Sequence, residues 1–378
     1  MSRGDRWLLI LPLILTALGV IMVYSSSAIL GITRYQDPNH FFVRQIIRAL
    51  IGVLVLLLSL KLPLRRLEQS APWLMIGAAG LLLVVAVVGH VSNGAMRWIR
   101  WGMLTLQPTE IARLATVVFM AWWLARRPPA ELGFARGLLP PALIAAGLAV
   151  LILLQPNLSS AGLLLLVCYA MLFLGGAPLK HLAAPAAAGA LVAGVALATH
   201  PYMMGRVSTF FDFALHGTLD QKGTGWQLDQ SLIAIGSGGL NGRGLGAGLQ
   251  KFLFLPEAHT DFIFSILAEE LGFIGATGLL ALIGMLLWRG MRAAARAREP
   301  FTFLLASGLT LQLGLYALVN LAVATGLAPT TGLPLPFVSY GGSALLVNLA
   351  AAGLLYRVST ANETDVALSR RRFTGESS

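Results

Sequence analysis

Residues 251–275 read KFLFLPEAHTDFIFSILAEELGFIG. The stretch sets Glu257, His259 and Asp261 at alternate positions in front of an apolar run, then places two adjacent acids, Glu269 and Glu270, inside that run. An ionised side chain at the centre of a bilayer costs about 3 kcal/mol or more, so acids within a run of this length point to a protein interior or a wet cavity. Apolar runs of the same kind recur through the chain. Of its 378 residues, 57% are hydrophobic and 11% charged, with a mean hydropathy of +0.77; an average soluble domain carries about 25% charge. This composition excludes an ordinary water-soluble core.

About 20 apolar residues cross a bilayer as a helix, and about ten such runs can be marked. They lie near Trp7–Ile29, Ile46–Leu60, Trp73–Val91, Pro108–Leu124, Leu138–Leu154, Ser159–Leu174, His181–Thr199, Phe262–Trp288, Phe301–Thr325 and Ser343–Tyr356. Little chain is left for a soluble domain, so residues 1–378 are expected to form a single all-α polytopic membrane domain. The first run is too long for a signal-peptide core and is read as an anchor. Cys168 is the single cysteine and lies inside a run, which excludes an intramolecular disulfide.

The formal net charge of +11 would suit nucleic acid, but the basic residues alternate with the runs instead of gathering in one patch. Most of the 27 Lys and Arg fall at the chain start, in 61–70, 126–136, 175–180 and 289–300, and in a basic tail from about 357 to 378. The positive-inside rule makes these segments, and both termini, cytoplasmic. No nucleic-acid partner is implied. The outer segments are then 31–45, 92–107, 200–261 and 326–342. The longest, between the seventh and eighth spans, holds Trp226, Leu228, Leu232 and Ile233 ahead of a glycine-rich stretch. A short interfacial helix followed by a re-entrant or glycine-bent loop is expected there.

Asp261 opens the eighth span, where an acid is stabilised by the helix dipole. At about 100° per residue, Glu269 lies roughly 80° from Asp261 around the helix and is expected to share its cavity, with Glu270 as a structural ion-pair partner. Glu257, His259 and Asp261 would share one face of an extended segment and resemble an oxygen and imidazole metal set; a solvated polar loop explains them equally. In NGAMRWIRWGMLTLQPTEIARLA (93–115), Pro108 suits a helix start and sets Glu110 and Arg113 on one face, as a functional site or a neutralising pair. Arg48, Arg97, Arg113, Arg206, Arg243 and Lys251 together can form an outward-facing site for an anionic lipid head group. In GLAPTTGLPLPFVSYGGSALLVN (326–348) the prolines and glycines force irregular backbone, in which Ser339, Tyr340 and Ser343 are either polar ligands or parts of a rigid loop. Gln155, Pro156 and Asn157 read as a polar turn.

These stretches, with GVIMVYSSSA, RQIIRALIG, MLFLGGAPLKHL and SLIAIGSGGLNGRGLGAGLQK, make the sequence from about Gly19 to Tyr356 resemble the SEDS family (shape, elongation, division and sporulation) of FtsW and RodA type peptidoglycan polymerases. The resemblance implies ten transmembrane helices in the bacterial cytoplasmic (inner) membrane. It also implies polymerisation of undecaprenyl-diphosphate-linked lipid II at the periplasmic face, a class B penicillin-binding protein as transpeptidase partner, and other divisome or elongasome membrane proteins nearby. GVIMVYSSSA and PEAHTDFIF lean to the division branch, FtsW. The family's catalytic Asp falls on Asp261, as a general base. The basic set, with Glu110, His259 and Ser339, would contact substrate, and a divalent cation (Mg2+ or Mn2+) is the cofactor the family suggests. Two positions depart from the family: Arg113 replaces a common Lys, and Asn157 a common Asp, which leaves Asn157 outside the site. Hydropathy, basic cavities and broken helices suit a lipid II flippase as well, and a noncatalytic scaffold for a penicillin-binding protein is the third reading. The acid at the outer surface favours the enzyme.

Overall fold

Among the described residues, a helix stands at each of the expected spans: α1 (Trp7–Tyr35), α2 (His40–Leu60), α3 (Leu64–Val88), α4 (Pro108–Arg126), α5 (Leu139–Leu153, entered through a π-helical turn at Phe134–Leu138), α6 (Leu158–Leu174) and α7 (Leu179–Thr199). After the long outer segment, which holds α8 (Pro201–His216) and α9 (Thr224–Ser237), come α10 (Ile263–Ala295), α11 (Pro300–Ala324) and α12 (Gly342–Thr374). The computed structural model describes residues 4–88, 90–92, 95–101, 104–128, 131, 133–199, 201–217 and 224–374. Among the described residues, 8 helices are long and apolar enough to cross a membrane. The other two at expected spans are α4, which carries Glu110 and Arg113, and the short apolar α6. The chain is a multi-pass membrane protein.

Local signals set several boundaries. Pro108 begins α4, where a missing N–H costs nothing. Asn157 caps α6 by accepting from Ser160 N at 3.3 Å, so the polar turn at 155–157 is structural. Two expectations need correction. The third span ends at Val88, not Val91. Beyond it the chain forms a small antiparallel sheet of β1 (His90–Ser92), β2 (Ala95–Trp101) and β3 (Leu104–Leu106), with Trp98 opposite His90 and Ile99 opposite Leu106. The tryptophans and isoleucine of β2 favour strand over helix. The outer segment 200–261 likewise contains two helices where one was expected.

The centre of the bundle is α11 and α12, each with 67% of its spanning window buried, whereas α7 has 6% and is left to face lipid. At one end of the bundle Asp5 draws three helices together: its N–H donates to Ser359 Oγ (3.0 Å) and its carboxylate pairs with Arg289 (3.2 Å). Both chain ends therefore lie on one side, as the charge distribution requires.

At the eighth span the helix is broken. Gly272 has φ 66° and ψ −165° inside α10. The returning loop takes over the freed backbone: Arg243 N donates to Glu269 O and Gly244 N to Glu270 O, both at 3.0 Å, while Phe273 N donates to Gly239 O (2.9 Å) and Ile274 N to Leu240 O (3.2 Å). The exchange supplies partners that hydrocarbon cannot. It demands glycine on both strands, because a Cβ at Gly272 would strike Gly242 N and one at Gly242 (φ 79°) would strike Glu270 O. Gly272→Ala is expected to destabilise the fold by about 2–4 kcal/mol, the sum of backbone strain and overpacking. A melting temperature in detergent equal to that of the wild type would show that the break is dispensable.

Candidate active site

The segment between Lys251 and α10 is wound into turns. Thr260 N, Asp261 N and Phe262 N all donate to Glu257 O (3.1, 3.1 and 3.3 Å), with Glu257 itself at φ 53°. The 326–342 loop and α11 hold this turn in place. Tyr340 N donates to His259 O (2.9 Å), and the Ser339 hydroxyl donates to Thr260 O while accepting from Leu335 N (2.8 Å). Asn320, buried in α11, donates through Nδ2 to both Asp261 O and Leu333 O at 2.8 Å. Three strands of backbone thus meet around one carboxylate.

That carboxylate is half-buried and accepts no hydrogen bond from the described residues. Gly332 lies beside it, where a Cβ would sit 3.5 Å from Oδ2. Burial pushes the Asp261 carboxyl up to about 7, the Glu257 charge adds to the rise, and the Arg206 guanidinium opposes it. Arg206 reaches in from α8 and donates through Nη1 to Thr330 O (3.0 Å). His259 is buried against Phe41 and Tyr340, with ring centroids 4.8 and 5.4 Å away. Burial holds its imidazole below the usual value, against the pull of Glu257. Arg48 completes the group: its guanidinium lies 4.7 Å from the Tyr340 ring centroid and donates to Thr105 Oγ1 (3.2 Å), which ties the small sheet to this end of the bundle.

The remaining cations of the expected basic site do not converge here. Arg113 is buried within the bundle, paired with Glu110 (2.8 Å), bonded to Asn348 Oδ1 (2.7 Å) and stacked 3.9 Å from the Tyr316 ring centroid. Lys251 is paired with Glu270 at 2.7 Å. Arg97 donates to Gln155 O (2.8 Å) and Pro156 O, and Arg243 lies 4.0 Å from Glu269. Of the candidate residues, then, the structure brings together Asp261, Arg206, His259, Ser339 and Arg48, and sets Glu110 with Arg113, Lys251, Arg243 and Arg97 in separate contacts.

Two further expectations are overturned. Glu269 does not share the Asp261 cavity: α10 begins at Ile263, so no helical wheel runs through Asp261, and Glu269 instead accepts from Leu249 N (2.7 Å) and Gln250 N (3.2 Å). Glu257, His259 and Asp261 do not share an extended face, because the segment is a turn. Among the described residues, no three His, Cys, Asp or Glu are grouped to hold an ion. The protein donors around Asp261 do not fit a divalent site of their own. Sequence reading missed Asn320, Ser25, Tyr316 and Asn348. A polar residue inside an apolar span was the available signal for each.

The comparisons with known proteins bear on the same region. Residues 5–364 match the model of the cell cycle protein family FTSW_RODA_SPOVE. The chain is 42% identical over 345 residues to a protein of Halorhodospira halophila named probable peptidoglycan glycosyltransferase FtsW, covering 90% of this chain and 86% of that one. Among solved structures, it is similar to a chain from work on the structural coordination of polymerization and crosslinking by a peptidoglycan synthase complex (TM-score 0.77, 34% identity, 94% and 97% of the two chains covered). It is also similar to the rod shape determining protein RodA of Thermus thermophilus (TM-score 0.69, 32% identity, 94% and 96% covered).

Proposed function

The chain belongs to the FtsW/RodA/SpoVE, or SEDS, family and is a peptidoglycan glycosyltransferase, and on that premise we propose that it polymerises lipid II at the outer face of the bacterial cytoplasmic membrane with Asp261 as general base. One observation carries the assignment: a half-buried carboxylate without a donor among the described residues, pushed up to about 7, on a turn fixed from three sides. Such a group is ionised in part at neutral pH and basic enough to take a proton from an alcohol as it attacks. The acceptor sugar hydroxyl would attack the anomeric carbon of the lipid-linked donor. Its proton passes to Asp261 as the new glycosidic bond forms, and the bond to the lipid diphosphate breaks. Direct displacement inverts the donor carbon and needs no glycosyl-enzyme intermediate. Arg206 and Arg48 are the cations of this end that we assign to the departing diphosphate.

The similarity to an FtsW protein supports a place in the division branch, and the similarity to a chain of a peptidoglycan synthase complex supports a class B penicillin-binding protein as the partner. Polymerisation of purified lipid II, with the transpeptidase of such a partner blocked, is the deciding assay. Glycan strands from the wild type support the enzyme. No strands under any partner or metal condition, together with passage of lipid II across sealed liposomes, would favour the flippase.

The base must be ionised to act. The initial rate is therefore expected to fall by about tenfold for each pH unit below about 7, the limb belonging to Asp261. A rate that stays level well below that limb would place the base elsewhere. A third measurement concerns the support: Asn320→Leu removes the bond to Asp261 O and is expected to lower kcat by about tenfold or more with a smaller change in KM, since small displacements of a base cost rate steeply.

A further inference from the structure

Lys251, a member of the expected basic set, is poorly placed for a substrate contact. Its ammonium carries three donors, and all three are used: Gly246 O accepts at 2.6 Å, Glu270 Oε1 at 2.7 Å and Ser25 Oγ at 3.1 Å. The side chain is 6% exposed and that of its partner Glu270 is 0% exposed. Ser25, in α1, lies 2.7 and 2.8 Å from the two carboxylate oxygens of Glu270. No donor remains for a phosphate.

The pair has a place in the chain that gives it another task. It joins residue 251 to residue 270 and so closes into a ring the segment that contains the 257–262 turn and the first turns of α10. Asp261 sits near the middle of that ring. Glu269, the preceding residue of the helix, reinforces the closure by accepting from Leu249 N and Gln250 N. Ser25 fastens the ring to α1.

We propose that Lys251, Glu270 and Ser25 form a clasp that positions Asp261, so that Lys251 acts on the reaction through the loop and not on the substrate diphosphate. The proposal rests on the reading of Asp261 as the base. Removing both charges together leaves no uncompensated ion in the buried site, so the double variant keeps the fold while the link between residues 251 and 270 is gone.

The test is lipid II polymerisation by the purified full chain, with kcat and KM determined for the wild type, Lys251→Met, Glu270→Gln, the Lys251→Met/Glu270→Gln double variant, Ser25→Ala and Asp261→Asn. A clasp predicts that Lys251→Met loses about 10- to 100-fold in kcat while KM for lipid II stays within about twofold, and that the double variant, which has no link between residues 251 and 270, does not recover the loss. Ser25→Ala removes only one hydroxyl and keeps the ion pair; it is expected to fold and to lose several-fold in kcat. This variant carries the test even where the single charge variants fail to fold. A raised KM with kcat retained in Lys251→Met, wild-type kcat in the double variant, or wild-type kcat in Ser25→Ala would each overturn the clasp. Activity in Asp261→Asn would instead overturn the base, whatever the clasp variants do.

Discussion

Asp261→Asn is expected to lower glycan polymerisation by about 10²–10⁴-fold, the usual worth of a general base, without loss of the fold. The two side chains have the same shape, and the backbone contacts that hold the turn, from Asn320, Tyr340 and Ser339, do not involve the carboxylate. Stability should, if anything, rise. A carboxyl held at about 7 in the folded chain and at about 3.9 in the unfolded one binds its proton more tightly when folded. Its contribution to stability is then greatest at low pH and is lost as pH rises from about 4 to about 7; above that range the folded chain carries a charge that burial disfavours. The carboxamide carries none. Melting in detergent alongside the polymerisation assay separates the outcomes: an inactive variant that melts at or above the wild-type temperature is the expected result, and an active one removes Asp261 from the mechanism.

Arg113→Met should have the largest effect on stability. Arg113 and Glu110 are 2% and 3% exposed, and the guanidinium also serves Asn348. With its amide oriented to match, Gln312 accepts from Arg113 Nε (3.3 Å) and donates to Arg113 O (3.1 Å). Removing the cation leaves Glu110 buried and uncompensated, at a cost of about 3–5 kcal/mol. Adding Glu110→Gln should restore most of it, since the neutral pair has no charge to solvate. Thermal melting of the single and double variants tests this. If Arg113→Met melts like the wild type and raises KM for lipid II, Arg113 belongs to substrate binding, as an outward basic set would require.

The two residues show how far the sequence reaches. Glu110 and Arg113 were visible as a pair because they stand three apart on one helix, a local geometry fixed by the 3.6-residue turn. That Asn348, Tyr316 and Gln312 complete the cluster was not visible, since those residues come from α11 and α12, far along the chain. The same divide runs through the site. Asp261 stood out as an acid next to a membrane-length run, whereas Asn320 looked like one polar residue in an apolar span until the fold set it against Asp261 O.

From the sequence alone came the membrane class, a helix at each of ten expected positions, the common side of both termini and the acid just before the eighth of those helices. These follow from how each short stretch partitions between water and hydrocarbon, a property the stretch carries by itself. Tertiary structure decided which charges are already satisfied. Lys251 reads as a free cation by position and Arg113 as half of a local pair with Glu110; only the packing of α1 against α10 spends the first on Glu270 and Ser25, and only the packing of α4 against α11 and α12 surrounds the second with Asn348, Tyr316 and Gln312. In a low-dielectric interior an ion is stable only beside its partners, and those partners are chosen by contacts between distant parts of the chain.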